Sequence, residues 1–169
     1  MIKTSMYGLV ALFTIAQPSV SRSSADYPKD WATWPKIKQT YIPGAETPLP
    51  PGIPPLFVET IKTYNWINGG KGTRLDIYVN PKVLDQYKTH GPYPDGVTAV
   101  GVYSDVQIVF VTQHLLGEPI YGTFDFEGRD LAGAHPSFSP TICSRCHAGY
   151  AEICKGGTCA VPDTDRTSP

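Results

Sequence analysis

The chain has 169 residues, with 14 Lys+Arg against 15 Asp+Glu and a formal net charge of −1. That length suits one domain of ordinary size. The near-balance of charge excludes a strongly basic surface of the kind that holds nucleic acid.

The first 25 residues do not read as part of the domain. Lys3 supplies a short positive region, Met6 to Ala16 form an apolar run, and Ser23-Ser24-Ala25 places small residues where a signal peptidase cuts. This is the pattern of a secretory signal peptide, and it predicts a periplasmic or otherwise exported protein. The apolar run is shorter than the roughly 20 residues of a membrane-spanning helix; an uncleaved anchor is the competing reading. No second long apolar segment occurs, so the mature protein is expected to be soluble. Cleavage after residue 25 removes Lys3 and Arg22, moving the net charge from −1 to near −3, and removes Met1 and Met6, the only methionines.

The domain is expected over residues 26–160. Asp26 to Ile42 reads as a short helix-forming entry with Trp31 and Trp34, interrupted by Pro35. Residues 43–55 hold six prolines and two glycines, an extended linker or surface loop. Phe57 to Trp66 is apolar with mixed periodicity and fits helix or strand equally. Leu75 to Val79 alternates and is a strand. Asn80-Pro81 starts a helix, Asn as cap and Pro at the first position, running to about Thr89 before Gly91-Pro92. Val97 to Tyr103, Val106 to Thr112 and Tyr121 to Phe126 are three further strands, the first two joined through Ser104-Asp105. Their short spacing favours antiparallel pairing. The fold class is α+β: an antiparallel sheet with flanking helices. The tail 161–169 is polar and expected to be disordered.

All four cysteines lie between positions 143 and 159. Cys143-Ser144-Arg145-Cys146-His147 is a C-x-x-C-H motif. Two thiols three positions apart can add across the two vinyl groups of one haem. The histidine that follows is then held beneath the iron as its proximal ligand. Export agrees, because this attachment is completed outside the cytoplasm. The competing reading is zinc, with Cys143, Cys146, Cys154 and Cys159 as four sulfurs, which leaves His147 without a role; disulfides alone are the remaining one. No histidine follows Cys154 or Cys159, and the two glycines between them let the pair close a small disulfide loop. A redox-active pair is the alternative.

With no methionine in the mature chain, the common sulfur ligand on the far side of a haem iron is excluded. The sixth position falls to histidine, lysine, another group, or nothing. Among His90, His114 and His135, each first a surface or loop histidine, His114 is the best candidate because it follows an apolar strand. An open distal site is the favoured reading.

These blocks resemble the cytochrome P-460 and cytochrome c′-beta family. The match rests on Ile77-Tyr78-Val79-Asn80-Pro81 with the later Gly91-Pro92-Tyr93-Pro94-Asp95-Gly96, on Tyr121-Gly122-Thr123-Phe124-Asp125-Phe126, and on a single C-terminal C-x-x-C-H. It covers roughly residues 27–150. The resemblance implies a homodimer and a five-coordinate haem whose distal side is lined by sheet residues. Cytochromes P-460 oxidise hydroxylamine and carry a lysine cross-linked to the haem; c′-beta members lack the link and bind NO or similar gases. The position matching that lysine is Gly101, and His90 to Leu131 contains no lysine. The strand 106–112 holds no acid for proton transfer, though Asp105 precedes it.

The leading expectation is therefore a mono-haem c-type cytochrome that binds NO or a related small ligand, or also passes electrons to a partner protein. Tyr78, Phe110 and Phe124 are the candidate lining of its distal pocket, with plain core packing as the competing role for each. Asp125 reads as a sheet-edge or surface acid. A second expectation is a haem enzyme acting on hydroxylamine or peroxide, with Asp105, His114 or Arg74 as acid–base group. A third is an electron carrier with two histidine ligands.

Overall fold

The computed structural model describes residues 24–89 and 91–159. Residues 1–23, which hold most of the expected leader, His90, and residues 160–169 with the expected tail lie outside the described residues. Five strands form one antiparallel sheet in sequence order, β1 (Lys36–Ile42), β2 (Thr73–Val79), β3 (Thr98–Tyr103), β4 (Ile108–Leu115) and β5 (Glu118–Asp125). Three α-helices accompany it, α1 (Pro55–Tyr64), α2 (Leu84–Lys88) and α3 (Pro140–Gly149). The α+β class read from the sequence is the class observed.

The entry segment corrects the sequence reading. Only Trp31–Thr33 forms a helical turn, of the tight 3-10 type, and residues 36–42 are strand β1 instead of helix. Pro35 cannot continue a helix, and Thr40, Tyr41 and Ile42 favour the pleated backbone. Lys36, Lys38 and Gln39 load this edge strand with polar groups, which keeps its free side from pairing with other chains.

Elsewhere local chemistry sets the boundaries. Pro55 occupies the first turn of α1, where its missing N–H is not needed. The Asn80 side chain accepts a hydrogen bond from the Lys82 amide at 3.0 Å, capping the segment that becomes α2. β4 and β5 turn through Leu116 and Gly117, both at positive φ (56° and 80°), the conformation tight hairpins favour. Asp95 holds this turn by accepting from both amides at 2.8 Å.

Side-chain alternation divides the sheet into two faces. One carries Val100, Val102, Val109, Val111 and Phe124 against Trp34 and Ala25, with Tyr27, Trp31 and Tyr78 around them. Ala25, the last residue of the expected leader, is part of this fold: it is buried, and its N–H donates to the Tyr121 carbonyl at 3.0 Å. On the other face, one cluster joins Ile42, Ile67, Tyr103, Ile108 and Phe138, and a second joins Val79, Tyr87, Tyr93, Val97 and Ala99. Helix α3 packs over β5. Its start is fixed by Ser139, whose hydroxyl accepts from the Thr141 amide at 3.3 Å, and by Pro140.

Candidate functional site

Helix α3 carries the whole motif. Cys143, Cys146 and His147 are spaced i, i+3, i+4, so they share one helix face. Both cysteines are free thiols; Cys143 is buried and Cys146 half-buried. Burial pushes the Cys143 thiol up to about 11. Cys146 is raised as well, by burial and then by the charge of Glu59. Both are therefore protonated near neutral pH.

Around the pair stand two tyrosines. Tyr64, on α1, lies beside Cys143, and its ring meets Phe110 edge-on with 5.1 Å between centroids. Tyr121, on β5, feels both thiols. The hydroxyls of both titrate well above the usual tyrosine range, burial being the main cause. Neither was singled out from the sequence. Tyr64 sits in the segment whose periodicity was ambiguous, and Tyr121 reads as an ordinary strand residue.

His147 is oriented by the chain that follows it. Its Nδ1 lies 2.7 Å from the Gly157 carbonyl oxygen. A carbonyl only accepts, so Nδ1 carries the proton and Nε2 is left as a bare lone pair. Burial lowers the imidazole's pKa and outweighs the opposing pull of that hydrogen bond, so the ring is neutral near pH 7. A neutral histidine with one ring nitrogen bound to a carbonyl is the usual state of a metal-ligating imidazole.

Cys154 and Cys159 are joined by a disulfide. Their sulfurs and a His147 nitrogen lie within 4.8 Å of one another, but sulfurs bonded to each other are not thiolate ligands. Among the described residues the four cysteine sulfurs do not gather into a zinc site.

The remaining sequence-predicted residues divide. Phe110 lies on the α3 side of the sheet, packed with Phe138 and Tyr64. Tyr78 and Phe124 do not join it. They lie on the opposite face, Tyr78 edge-on to Trp31 and Phe124 against Tyr27. The register explains this: Phe110 pairs with Gly101, whereas Phe124 pairs with Val109, one residue out of phase. Gly101 shares the Phe110 face; a Cβ there would meet Leu75 Cδ1 at 3.2 Å and Ile77 Cδ1 at 3.6 Å.

The acid–base and sixth-ligand candidates are engaged elsewhere. His114 is buried (2% exposed), its Nε2 is 3.0 Å from Thr158 Oγ1, and its ring meets Tyr93 edge-on. His135 accepts from the Ser137 amide through Nδ1 and stacks on Trp66 at 3.8 Å, beside an apolar cavity of about 280 Å³. Asp105 accepts from the Thr73 hydroxyl and the Arg74 amide, each at 3.1 Å. Arg74 pairs with Asp76 across 3.6 Å. Asp125 is held by Arg129 and is a turn-forming acid at the end of β5.

The donor set is the test for haem. Two free thiols and a neutral imidazole with its outer nitrogen already satisfied stand on one helix face, and the other two cysteines are removed by their own bond. These residues fit a covalently attached haem with one histidine ligand. No model of a known protein family matches the chain, and no curated protein is significantly similar to it.

Proposed function

We propose that this chain is an exported mono-haem cytochrome of the c type, with Cys143 and Cys146 as attachment points and His147 as axial ligand. Its distal position is open to a small ligand such as NO, as in the c′-beta proteins it resembles. The observation that carries the reading is the His147–Gly157 hydrogen bond at 2.7 Å, which prepares Nε2 as a donor on the same helix face as two free thiols. The neighbouring disulfide suits an oxidising compartment. A bound haem supplies an iron that changes oxidation state and takes a small ligand. The chain's own part is to hold that iron from one side through His147, to fix the ring plane through Gly157, and to bring aromatic surface from Tyr64, Phe110 and Tyr121 to the same side of the sheet.

The distal features favour ligand binding over the two other readings. His114 and His135 have other partners, which weighs against a second histidine ligand. Gly101 supplies no amine for a cross-link, and Asp105, Arg74 and His114 are bound within the protein, which weighs against hydroxylamine or peroxide chemistry. The dimer implied by the resemblance and the redox partner belong to the same proposal.

The decisive experiment is production in a host that matures c-type haem, followed by a haem stain after denaturing electrophoresis and spectra with and without NO. Covalent haem in the wild type, its complete loss in a Cys143→Ser/Cys146→Ser variant, and a high-spin ferrous spectrum changed by NO are expected. Protein that carries zinc and no haem overturns the proposal. Sharp low-spin ferrous bands indifferent to NO leave the haem but overturn the open site.

A further inference from the structure

We infer that Tyr121 is a positioning residue for His147, acting through a carbonyl that the two side chains share in the disulfide-closed loop. The inference rests on the proposal that His147 is the iron's ligand and adds what sets that ligand's strength.

Gly157 offers one carbonyl oxygen to two donors. His147 Nδ1–H reaches it at 2.7 Å, and the Tyr121 hydroxyl reaches it at 2.8 Å. The tyrosine and imidazole rings also meet edge-on, 4.8 Å between centroids. A carbonyl only accepts, so in the 2.8 Å contact the Tyr121 hydroxyl is the donor. Each donor draws on the same oxygen, so each weakens the other's bond. The more firmly a carbonyl holds the Nδ1 proton, the more electron density the ring passes to a metal at Nε2. Tyr121 therefore moderates His147 as a donor, and its hydroxyl raises the iron's reduction potential.

The loop is built to keep this carbonyl in place. Gly157 has φ +75°, and a Cβ there would fall 2.6 Å from Pro119 Cβ and 2.7 Å from Tyr121 Oη. Only glycine lets the backbone lie this close to β5. Directly after it, Thr158 is held by His114 at 3.0 Å, and the Cys159 carbonyl accepts from Tyr87 at 3.2 Å. The Cys154–Cys159 bond closes the loop around these contacts. Sheet, helix α2 and disulfide thus all hold the short loop that carries this acceptor.

The test uses the haem-loaded, reduced protein and reads the iron–histidine stretch by resonance Raman together with the midpoint potential. Tyr121→Phe frees the carbonyl for His147, so the stretch moves to higher frequency and the potential falls, with haem content unchanged. Tyr27→Phe removes a buried-side hydroxyl that donates to Phe126 on the other face at 2.8 Å and leaves both readings unmoved. A second measurement needs no variant. A phosphine that reduces Cys154–Cys159 to two thiols, itself becoming the oxide, loosens the loop and moves the stretch to lower frequency. Haem-loaded Tyr121→Phe with wild-type stretch and potential overturns the inference, as does an unchanged stretch after confirmed reduction of the disulfide. Absence of covalent haem from the wild type overturns the underlying proposal instead.

Discussion

On one face of the sheet, Val100, Val102, Val109 and Val111 pack with Trp34 and Phe124 into a mainly apolar layer, with Asp76 at its β2 side held by Gln39, Lys36 and Arg74. On the other, β4 and β5 present Phe110, His114, Tyr121 and Thr123, and the polar groups among them are each tied to the segment 138–158. Thr123 donates to the Phe138 carbonyl at 2.9 Å, Tyr121 to Gly157, and His114 pairs with Thr158. The first face has no chemistry to place and is free to be a dense apolar layer. The second gives up some of that packing to hold α3 and its following loop by hydrogen bonds, which are directional and so fix atoms. Stability and site geometry are thereby assigned to alternate residues of the same strands.

Breaking the apolar face should have the largest effect on stability and none on the site. Phe124→Ala removes a buried aromatic ring (6% exposed), at a cost of about 3–5 kcal/mol. Urea unfolding measures the loss. The spectrum of whatever folds and carries haem should remain that of the wild type. A shifted iron–histidine band in this variant would mean that the two faces are coupled and the division fails.

The disulfide is the next largest. A Cys154→Ala/Cys159→Ala variant opens a loop with a sequence separation of 5, which chain entropy values at about 2 kcal/mol. Here stability and the ligand signature should change together, because the loop carries the Gly157 carbonyl. A loss of stability with an unaltered iron–histidine band would overturn the inference that the loop's Gly157 carbonyl sets the strength of His147 as a ligand.

Tyr121→Phe should be smaller still in stability, about 1 kcal/mol for one buried hydrogen bond, while moving the potential. The contrast between this variant and Phe124→Ala separates the faces most sharply, since the smaller thermodynamic change should carry the larger spectroscopic one.

The motif and the strands were legible because each rests on local chemistry. Cys143, Cys146 and His147 announce themselves by spacing, Asn80-Pro81 by its cap, and β2 to β5 by alternation, within a few residues of the observed ends. Strand β1 was hidden because lysines and glutamine on an edge strand look like a solvated segment. The assignment of faces was beyond the sequence for a different reason. Alternation fixes which residues of one strand point together, but only the register joins one strand's parity to the next. The pairing of Gly101 with Phe110 and of Val109 with Phe124 sends Tyr78 and Phe124 into the core and leaves Phe110 on the α3 side. The shared carbonyl of Gly157 was equally hidden, since no side chain marks it. Two adjacent glycines inside a short Cys–Cys loop, ten residues after His147, were its only trace.

The finest probe of the second face is pH. His114 is held neutral because burial pushes its pKa down, although the carboxylates of Asp95 and Glu118 pull the other way. Tyr93, Gly156 and Thr158 complete its surroundings. In the unfolded chain a histidine titrates at about 6.5, so below that pH the unfolded state binds a proton the folded state resists. His114 therefore lets the fold keep its full stability above about pH 6.5 and weakens it as pH falls from there toward the folded pKa. The depressed carboxylates Asp105 and Asp125 act with the same sign but only as pH falls below about 4, where unfolded aspartates protonate. Urea midpoints of the haem-loaded protein at pH 7.5 and 5.5 separate the two windows. The wild type should lose stability across this interval, and His114→Gln, which retains an amide to meet Thr158, should lose less. Equal slopes in both proteins would mean that His114 is not the buried neutral anchor of the loop, and the contact with Thr158 would then have to be made by a protonated ring.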